Sequence, residues 1–332
     1  MYLVINFCLS LLFRERKKLD ISVILVSYNT AEITKVALNH LFASKFKQQM
    51  EVFIIDNASR DNSVEVIRSA YPNVPLIVNQ VNVGFGRANN QALPFISGRY
   101  VLLLNTDAFV EPDVIAKTLD YMDGHPKCGI LGVKLIGENG DLQPSCRYFP
   151  TPWRAFLQNT GLKRFLKNVQ MVDEMDWDHA DIRNCDWVPG CYYLIRKEVI
   201  CEVGLFDPIY FMYSEEVDHC FATKKAGWDV TYYPTPVIHL GGQSAKSDSE
   251  ISTHGRQIQS IQIESELLYY RKNHGVTGVL MHLFFTTFTN FLQILRNILK
   301  LESSKKLMTY VNHSLFLWKI FFRTNFATKG TR

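Results

Sequence analysis

No two cysteines in this sequence are spaced as CxxC, and their total of seven is odd. That pattern excludes a zinc ribbon and a closed disulfide framework, and it suits a reducing cytosol in which thiols stay free as small buried hydrophobes. The glycine spacing of a dinucleotide fingerprint is missing too: Gly84-Phe85-Gly86 follows the third apolar strand and not the first, which excludes NAD. The turn after the first strand, Val26-Ser27-Tyr28-Asn29, has neither the glycines nor the lysine usual in nucleotidyltransferases. No apolar run reaches, without interruption, the ~20 residues that a spanning helix needs. Tyr2 to Phe13 is short and carries its basic flank, Arg14-Glu15-Arg16-Lys17-Lys18, on the side opposite to that of a signal peptide. It reads as an interfacial segment or as the product of a start site placed too far upstream.

What is present is a chain of 332 residues, 47% hydrophobic and 20% charged, enough to bury an α/β core and still carry a further module. The net charge of +4 is unevenly spread: residues 255–332 hold eleven Lys/Arg against three Asp/Glu, and residues 1–20 hold four against two, so the middle is acidic. An acidic body with basic, apolar ends fits a membrane surface of anionic lipids and argues against nucleic acid as a partner.

Three strands and two helices alternate at the start. Ile21 to Ser27 and Glu51 to Ile55 are continuous apolar runs ending in polar turns, Leu76-Ile77-Val78 is a third, and Ile33 to Phe42 and Ser63 to Ser69 have helical spacing. This β-α-β-α-β order predicts a parallel, right-handed sheet that binds ligands beyond the carboxyl ends of its strands. Val101-Leu102-Leu103-Leu104 is the most apolar strand, and Asn105-Thr106-Asp107 caps it. A carboxylate there suits a divalent cation holding a diphosphate, because Mg²⁺ keeps waters and takes few protein ligands. The same residues also suit a turn or a helix cap.

Gly84 lets backbone approach a ligand closely, and Arg87 suits a phosphate or a base. Glu215, Glu216 and Asp218 lie at a helix start, where acids are common because of the dipole. Beside Phe211 and Tyr213, the glutamate pair also supplies a general base, since burial and like charge raise one pKa. His239, in Val237-Ile238-His239, reads as a structural histidine or as a metal ligand partnered with Asp107. Tyr148 to Ala180, with no clean periodicity, reads as a long excursion on the substrate side.

As an ordered set these segments resemble the family-two inverting glycosyltransferases of the bacterial rhamnosyltransferase-like branch. The set is Val26-Ser27-Tyr28-Asn29, Asp56-Asn57-Ala58-Ser59, Asn82-Val83-Gly84-Phe85, Asn105-Thr106-Asp107, Gly190 to Arg196, Gly204-x-Phe206-Asp207, Tyr213-x-Glu215-Glu216-x-Asp218 and His239-x-x-Gly242-x-Ser244. The resemblance covers roughly Asp20 to Ser244. It implies a GT-A fold, a nucleotide-diphosphate sugar donor such as dTDP-rhamnose, Mg²⁺ or Mn²⁺, and a polyprenyl-diphosphate-linked saccharide acceptor in cell-surface polysaccharide (O-antigen type) biosynthesis. It further implies that Val26, Ser27, Tyr28, Asn29, Asp56, Asn57, Asn82, Gly84, Phe85, Arg87 and Asn105 bind the nucleotide sugar, that Asp107 and His239 hold the metal, and that Glu216 or Glu215 is the base. Two positions depart from the family pattern: Asn105 stands first in its DxD, and Glu216 stands where its catalytic Asp is usual. Those departures keep open a catalytically silent sugar-binding scaffold. A nucleotidyltransferase is the other alternative.

The expected organisation is an apolar and basic segment (1–19), an α/β catalytic body with a mostly parallel sheet flanked by helices (20–247), and a carboxyl-terminal amphipathic helical module (248–332). In that module Ile258, Ile261, Ile263, Leu267 and Leu268 form one apolar face. Gly278 to Leu299 is long enough to span, but His282, Asn290, Gln293 and Arg296 interrupt it, so it is expected to lie along the cytoplasmic face of the cell membrane. The alternative is a helical cap on the core, or on a second subunit of a homo-oligomer.

Overall fold

The computed structural model describes residues 19–45, 49–166, 171–241, 256–301 and 303–332. The amino-terminal segment, Gly242 and Ser244 therefore lie outside the described residues.

The alternation begins with β1 (Ile21–Ser27), α1 (Ala31–Phe42), β2 (Met50–Asp56), α2 (Ser63–Ala70) and β3 (Leu76–Val78). It continues through α3 (Phe85–Asn90), β4 (Tyr100–Leu104), β5 (Ala108–Phe109), α4 (Val114–Gly124), β6 (Cys128–Ile136) and β7 (Leu142–Gln143). β1 pairs in parallel with β2 and β4, and β2 with β3, as the right-handed crossovers require. Burial on both faces explains the unbroken apolar runs. In β4, Val101 and Leu103 enter one core cluster while Tyr100, Leu102 and Leu104 enter the other. Truncating Leu102 or Leu103 to Ala would open a cavity at a cost of about 2–5 kcal/mol.

The second half consists of α5 (Pro152–Thr160), β8 (Arg183–Cys185), β9 (Tyr192–Arg196), α6 (Lys197–Val203), α7 (Glu215–Lys225), β10 (Asp229–His239), α8 (Arg256–Leu299) and α9 (Ser304–Arg323). The sheet order is β3-β2-β1-β4-β9-β6-β10-β5. β9 is wedged antiparallel between β4 and β6, a reversal that the parallel pattern of the first half does not predict. Its last residue fixes the wedge: Arg196 donates from Nε to the Cys128 carbonyl at 3.0 Å and from Nη2 to the Met122 carbonyl at 2.6 Å, near the end of α4.

The described part of 148–180, read from sequence as a long excursion, contains a helix that packs on α8. This helix, α5, started by the Thr151 side chain accepting from the Arg154 N–H with Pro152 behind it, sets Phe156 against Phe285 and Phe288 of α8. The aromatic residues that broke the periodicity are contacts to a helix more than a hundred positions away.

α8 is two helices joined at Gly275, whose φ of 69° is open to glycine. The second half folds back on the first, with the Tyr270 and His282 rings stacked at 4.6 Å. The first half belongs to the main core: Ile263, Leu267, Leu268, Tyr269 and Tyr270 share a cluster with Ile24 and Val101. It thus packs as part of the sheet's own core. The second half buries Val279 and Leu283 in the core but also buries polar side chains, and it leaves large apolar ones outside. His282, Thr289, Asn290 and Asn297 are buried, whereas Phe284 (62% exposed), Phe291 (51%) and Ile298 (52%) face outward. Asn290 donates to His313 Nδ1 and to Ser314 of α9, both at 2.9 Å, along a polar cleft of about 870 Å³.

Candidate active site

The carboxyl edge of the sheet opens into a cavity of about 340 Å³, within the usual range for ligand pockets. β4 delivers Asn105, Thr106 and Asp107 to it, and the turn is closed by the Asn105 N–H donating to the Cys191 carbonyl at 3.0 Å. β10 arrives from the far side of the sheet. His239 is in register with Ala108 of β5, and the Leu240 N–H donates to the Asp107 carbonyl at 3.0 Å. This short antiparallel zipper places His239 Nε2 3.5 Å from Asp107 Oδ1.

A divalent cation fits these two donors. Neighbouring ligands on an octahedral ion at ~2.1 Å stand ~3.0 Å apart, close to the observed spacing. Among the described residues no group of three or more His, Cys, Asp or Glu side chains gathers as a metal site. Two donor side chains suit an ion such as Mg²⁺ or Mn²⁺ that keeps several waters and takes few protein ligands.

On the opposite wall, α7 starts with Glu215 and Glu216. The two residues before it, Tyr213 and Ser214, have φ of 71° and 65°, an uncommon pair of left-handed non-glycine residues that aims the glutamates inward. Burial, then the charge of Glu216, pushes the Glu215 carboxyl well above the ordinary range. Burial also raises Glu216, against backbone N–H donors and the Arg147 charge. One oxygen of each, Oε2, is buried without a hydrogen-bond partner among the described residues. Both carboxyls therefore hold a proton more firmly than an exposed glutamate does. Cys191, on the cavity wall, feels both centres: burial first, then Asp107 and also Glu216 raise its thiol pKa, so it stays protonated.

Another wall is built from the loops after β2 and β3. Asn57 gathers them: its Nδ2 donates to Asn82 Oδ1 at 2.9 Å, and its Oδ1 accepts from the Val83 N–H at 3.0 Å and from Asn79 at 3.1 Å. Gly84, at φ 89°, passes so close to the Phe211 carbonyl that a Cβ would lie 2.2 Å from its oxygen. The Phe85 N–H donates to that same carbonyl at 2.9 Å.

Of the fifteen residues singled out from sequence, Val26, Tyr28, Asn57, Asn82, Gly84, Phe85, Asn105, Asp107, Glu215, Glu216 and His239 line this one cavity. Four do not. Ser27 is buried beneath it, its hydroxyl 3.3 Å from that of Thr34. Asn29 accepts from the Arg60 N–H at 2.7 Å and so ties two loops together. Asp56 is fully buried beside Asn57; one oxygen accepts from the Ser59 N–H at 2.9 Å, and the other has no partner among the described residues. Arg87 turns away: its guanidinium donates to the Pro208 carbonyl at 2.7 Å and to the Arg332 carbonyl at 3.0 Å, so it braces the 206–214 loop from behind. Asp218 is also structural. Lys272 and Asn273 of α8 hold its two oxygens at 2.6 and 2.7 Å. Phe211, Tyr213 and Gly190, placed beside or within the motifs from sequence, line the cavity as well; Pro189 and Met212 line it but were not singled out, and neither was Gln143, which grips His239.

Comparison with known proteins agrees with this geometry. The model of the glycosyl transferase family 2 matches residues 22–174. Over those residues the chain is similar to glycosyl transferase family 2. An N-acetylglucosaminyl-diphospho-decaprenol L-rhamnosyltransferase from Mycobacterium tuberculosis is 28% identical over 225 residues, 63% of this chain and 73% of the relative. A poly-beta-1,6-N-acetyl-D-glucosamine synthase from Staphylococcus aureus is 29% identical over 217 residues, 64% of this chain and 48% of the relative. Among solved structures, a mannosyltransferase from Pyrobaculum calidifontis in complex with GDP-Man and Mn²⁺ superposes with a TM-score of 0.54 at 13% identity, covering 99% of this chain and 95% of that one. The shared fold is GT-A, and this chain carries an α-helical carboxyl-terminal extension on it.

Proposed function

We propose that this chain transfers a sugar with inversion from a nucleotide-diphosphate donor, dTDP-rhamnose, to a polyprenyl-diphosphate-linked saccharide at the cytoplasmic face of the cell membrane. The reading is carried by the sharing of one cavity by an Asp–His pair suited to a divalent cation and a buried glutamate pair with raised pKa. The rhamnosyl donor and the lipid-linked acceptor rest on the relative named above.

The acceptor hydroxyl loses its proton to Glu216, with Glu215 buried against the same charge. The two act as one coupled acid–base unit. Asp107 and His239 would hold a divalent cation, which would supply charge neutralisation for the departing diphosphate. Asn57, Asn82 and the backbone around Gly84 orient the nucleotide, and Tyr28 and Phe85 supply apolar faces on the same wall. One base and one leaving group give a single displacement, hence inversion at the anomeric carbon. The phenylalanines directed outward on α8, with Arg296, Lys300, Lys305 and Lys306 nearby in sequence, suit docking on anionic lipid.

Membranes bearing the acceptor, labelled dTDP-rhamnose and Mn²⁺ test the reading. Glu216→Gln should lower kcat by about 10²–10⁴-fold, the usual worth of a general base. Equal turnover by wild type and variant would remove Glu216 from that role.

A further inference from the structure

We infer that Gln143 is the positioning residue that fixes His239 in the tautomer and orientation needed to hold the cation. The inference rests on the reading of Asp107 and His239 as the cation's protein ligands. Gln143 makes two contacts to the same residue. Its amide Nε2 donates to the His239 backbone carbonyl at 2.9 Å, and its Oε1 lies 2.8 Å from His239 Nδ1.

These contacts decide where the imidazole proton sits. A carbonyl oxygen only accepts, so the Gln143 NH₂ group must face the His239 carbonyl. Flipping the amide would set two carbonyl oxygens against each other. The side-chain oxygen is therefore left facing Nδ1, and because that oxygen also only accepts, Nδ1 carries the hydrogen. In neutral imidazole the other nitrogen is then an unprotonated lone pair. That nitrogen, Nε2, is the one 3.5 Å from Asp107 Oδ1. The backbone of His239 thus sets the tautomer of its own ring through a side chain 96 positions away in the sequence.

The β6–β7 hairpin exists in a form that delivers this contact. Its turn closes with the Gly137 N–H donating to the Asp141 carbonyl at 2.7 Å and the Gly140 N–H to the Gly137 carbonyl at 2.9 Å. Gln143 then pairs with Leu135 at the end of β6, beside the strand that carries His239. A β-strand of two residues buries little, yet it anchors the polar partner that orients the ring.

The test uses the full chain, with His239 followed by ¹⁵N NMR in metal-free protein and Mn²⁺ binding followed by EPR titration in saturating dTDP or UDP. Wild type should show Nδ1–H. Gln143→Met, close in volume but without the acceptor, should populate the Nε2–H form and bind Mn²⁺ about 10- to 100-fold more weakly, the usual effect of losing such a partner. Gln143→Glu keeps an acceptor on Nδ1–H but sets its other oxygen against the His239 carbonyl, so it should restore the tautomer and bring the affinity between that of Gln143→Met and wild type, a partial rescue that a purely packing role would not produce. Wild-type protein with the proton on Nε2, or Gln143→Met that binds Mn²⁺ as wild type does while His239→Ala fails to, would overturn the role of Gln143 alone. Unchanged Mn²⁺ binding in His239→Ala would instead overturn the metal reading beneath it, and this inference with it.

Discussion

Replacing Lys272 with methionine should loosen the helix that carries the glutamate pair. Lys272 Nζ lies 2.6 Å from Asp207 Oδ2 and 2.6 Å from Asp218 Oδ2, and the Asp218 side chain is only 5% exposed. Stranding one partner of a fully buried pair costs about 3–5 kcal/mol. Two features reduce that cost here: the Lys272 side chain is 41% exposed, and Asp218 keeps the Asn273 amide at 2.7 Å. About 2 kcal/mol is left, which for a chain of this size lowers Tm by about 4 °C. Burial lowers the Lys272 pKa, but Asp218 and Asp207 more than offset it, so the folded value is raised. The stabilisation is therefore fully present at neutral pH and is lost only in alkali, as pH rises through the folded value. Thermal unfolding at pH 7 of Lys272→Met, Asp218→Asn and the double variant would measure the coupling. The double variant should lose less than the sum of the singles by about 1–2 kcal/mol. Additive losses, or a Tm shift below 1 °C in Lys272→Met, would refute the clamp.

Glu215→Gln should raise stability, because the raised carboxyl pKa means that ionisation in the fold is penalised. The penalty grows as pH climbs from the ordinary carboxylate range through the folded pKa, so the gain in Tm should be larger at pH 8 than at pH 5. A gain that shrinks with rising pH would reverse the sign of the argument. In turnover, the acidic limb of the kcat profile should sit above the ordinary glutamate range, because Glu216 must lose its proton and burial raises its pKa. A limb in the ordinary glutamate range would count against a buried base. Gly84→Ala should weaken nucleotide binding and cost about 1–3 kcal/mol of stability from its left-handed backbone alone, before the clash with the Phe211 carbonyl. Calorimetric titration with dTDP or UDP and thermal unfolding check both effects, and an unchanged variant would mean that the 206–214 loop yields freely.

Much of the site was readable because it follows strand periodicity. An apolar run with a polar tip is a buried strand that ends at the ligand edge, and that rule finds Tyr28, Asn57 and Asp107. Clustered acids before a helix find Glu215 and Glu216. What local pattern does not encode is which polar side chain another part of the chain consumes. Arg87 looks like a phosphate ligand until the Pro208 and Arg332 carbonyls claim it, and Asp218 looks like a member of the acid cluster until Lys272 and Asn273 arrive from α8. Gln143 carries no signal at all, since its meaning lies wholly in a pairing between strands far apart in the sequence. The antiparallel wedge of β9 escaped for the same reason: strand direction is a property of the neighbours, not of Tyr192–Arg196.

Tyr213 and Ser214 hold a backbone shape that glycine or asparagine would adopt at lower cost. A laboratory selection that rewards survival of heating alone is therefore expected to collect Gly or Asn at these positions early. The survivors would keep the bend that aims two carboxylates into the cavity but lose the Tyr213 ring that lines it, and so be sturdier proteins that turn over more slowly.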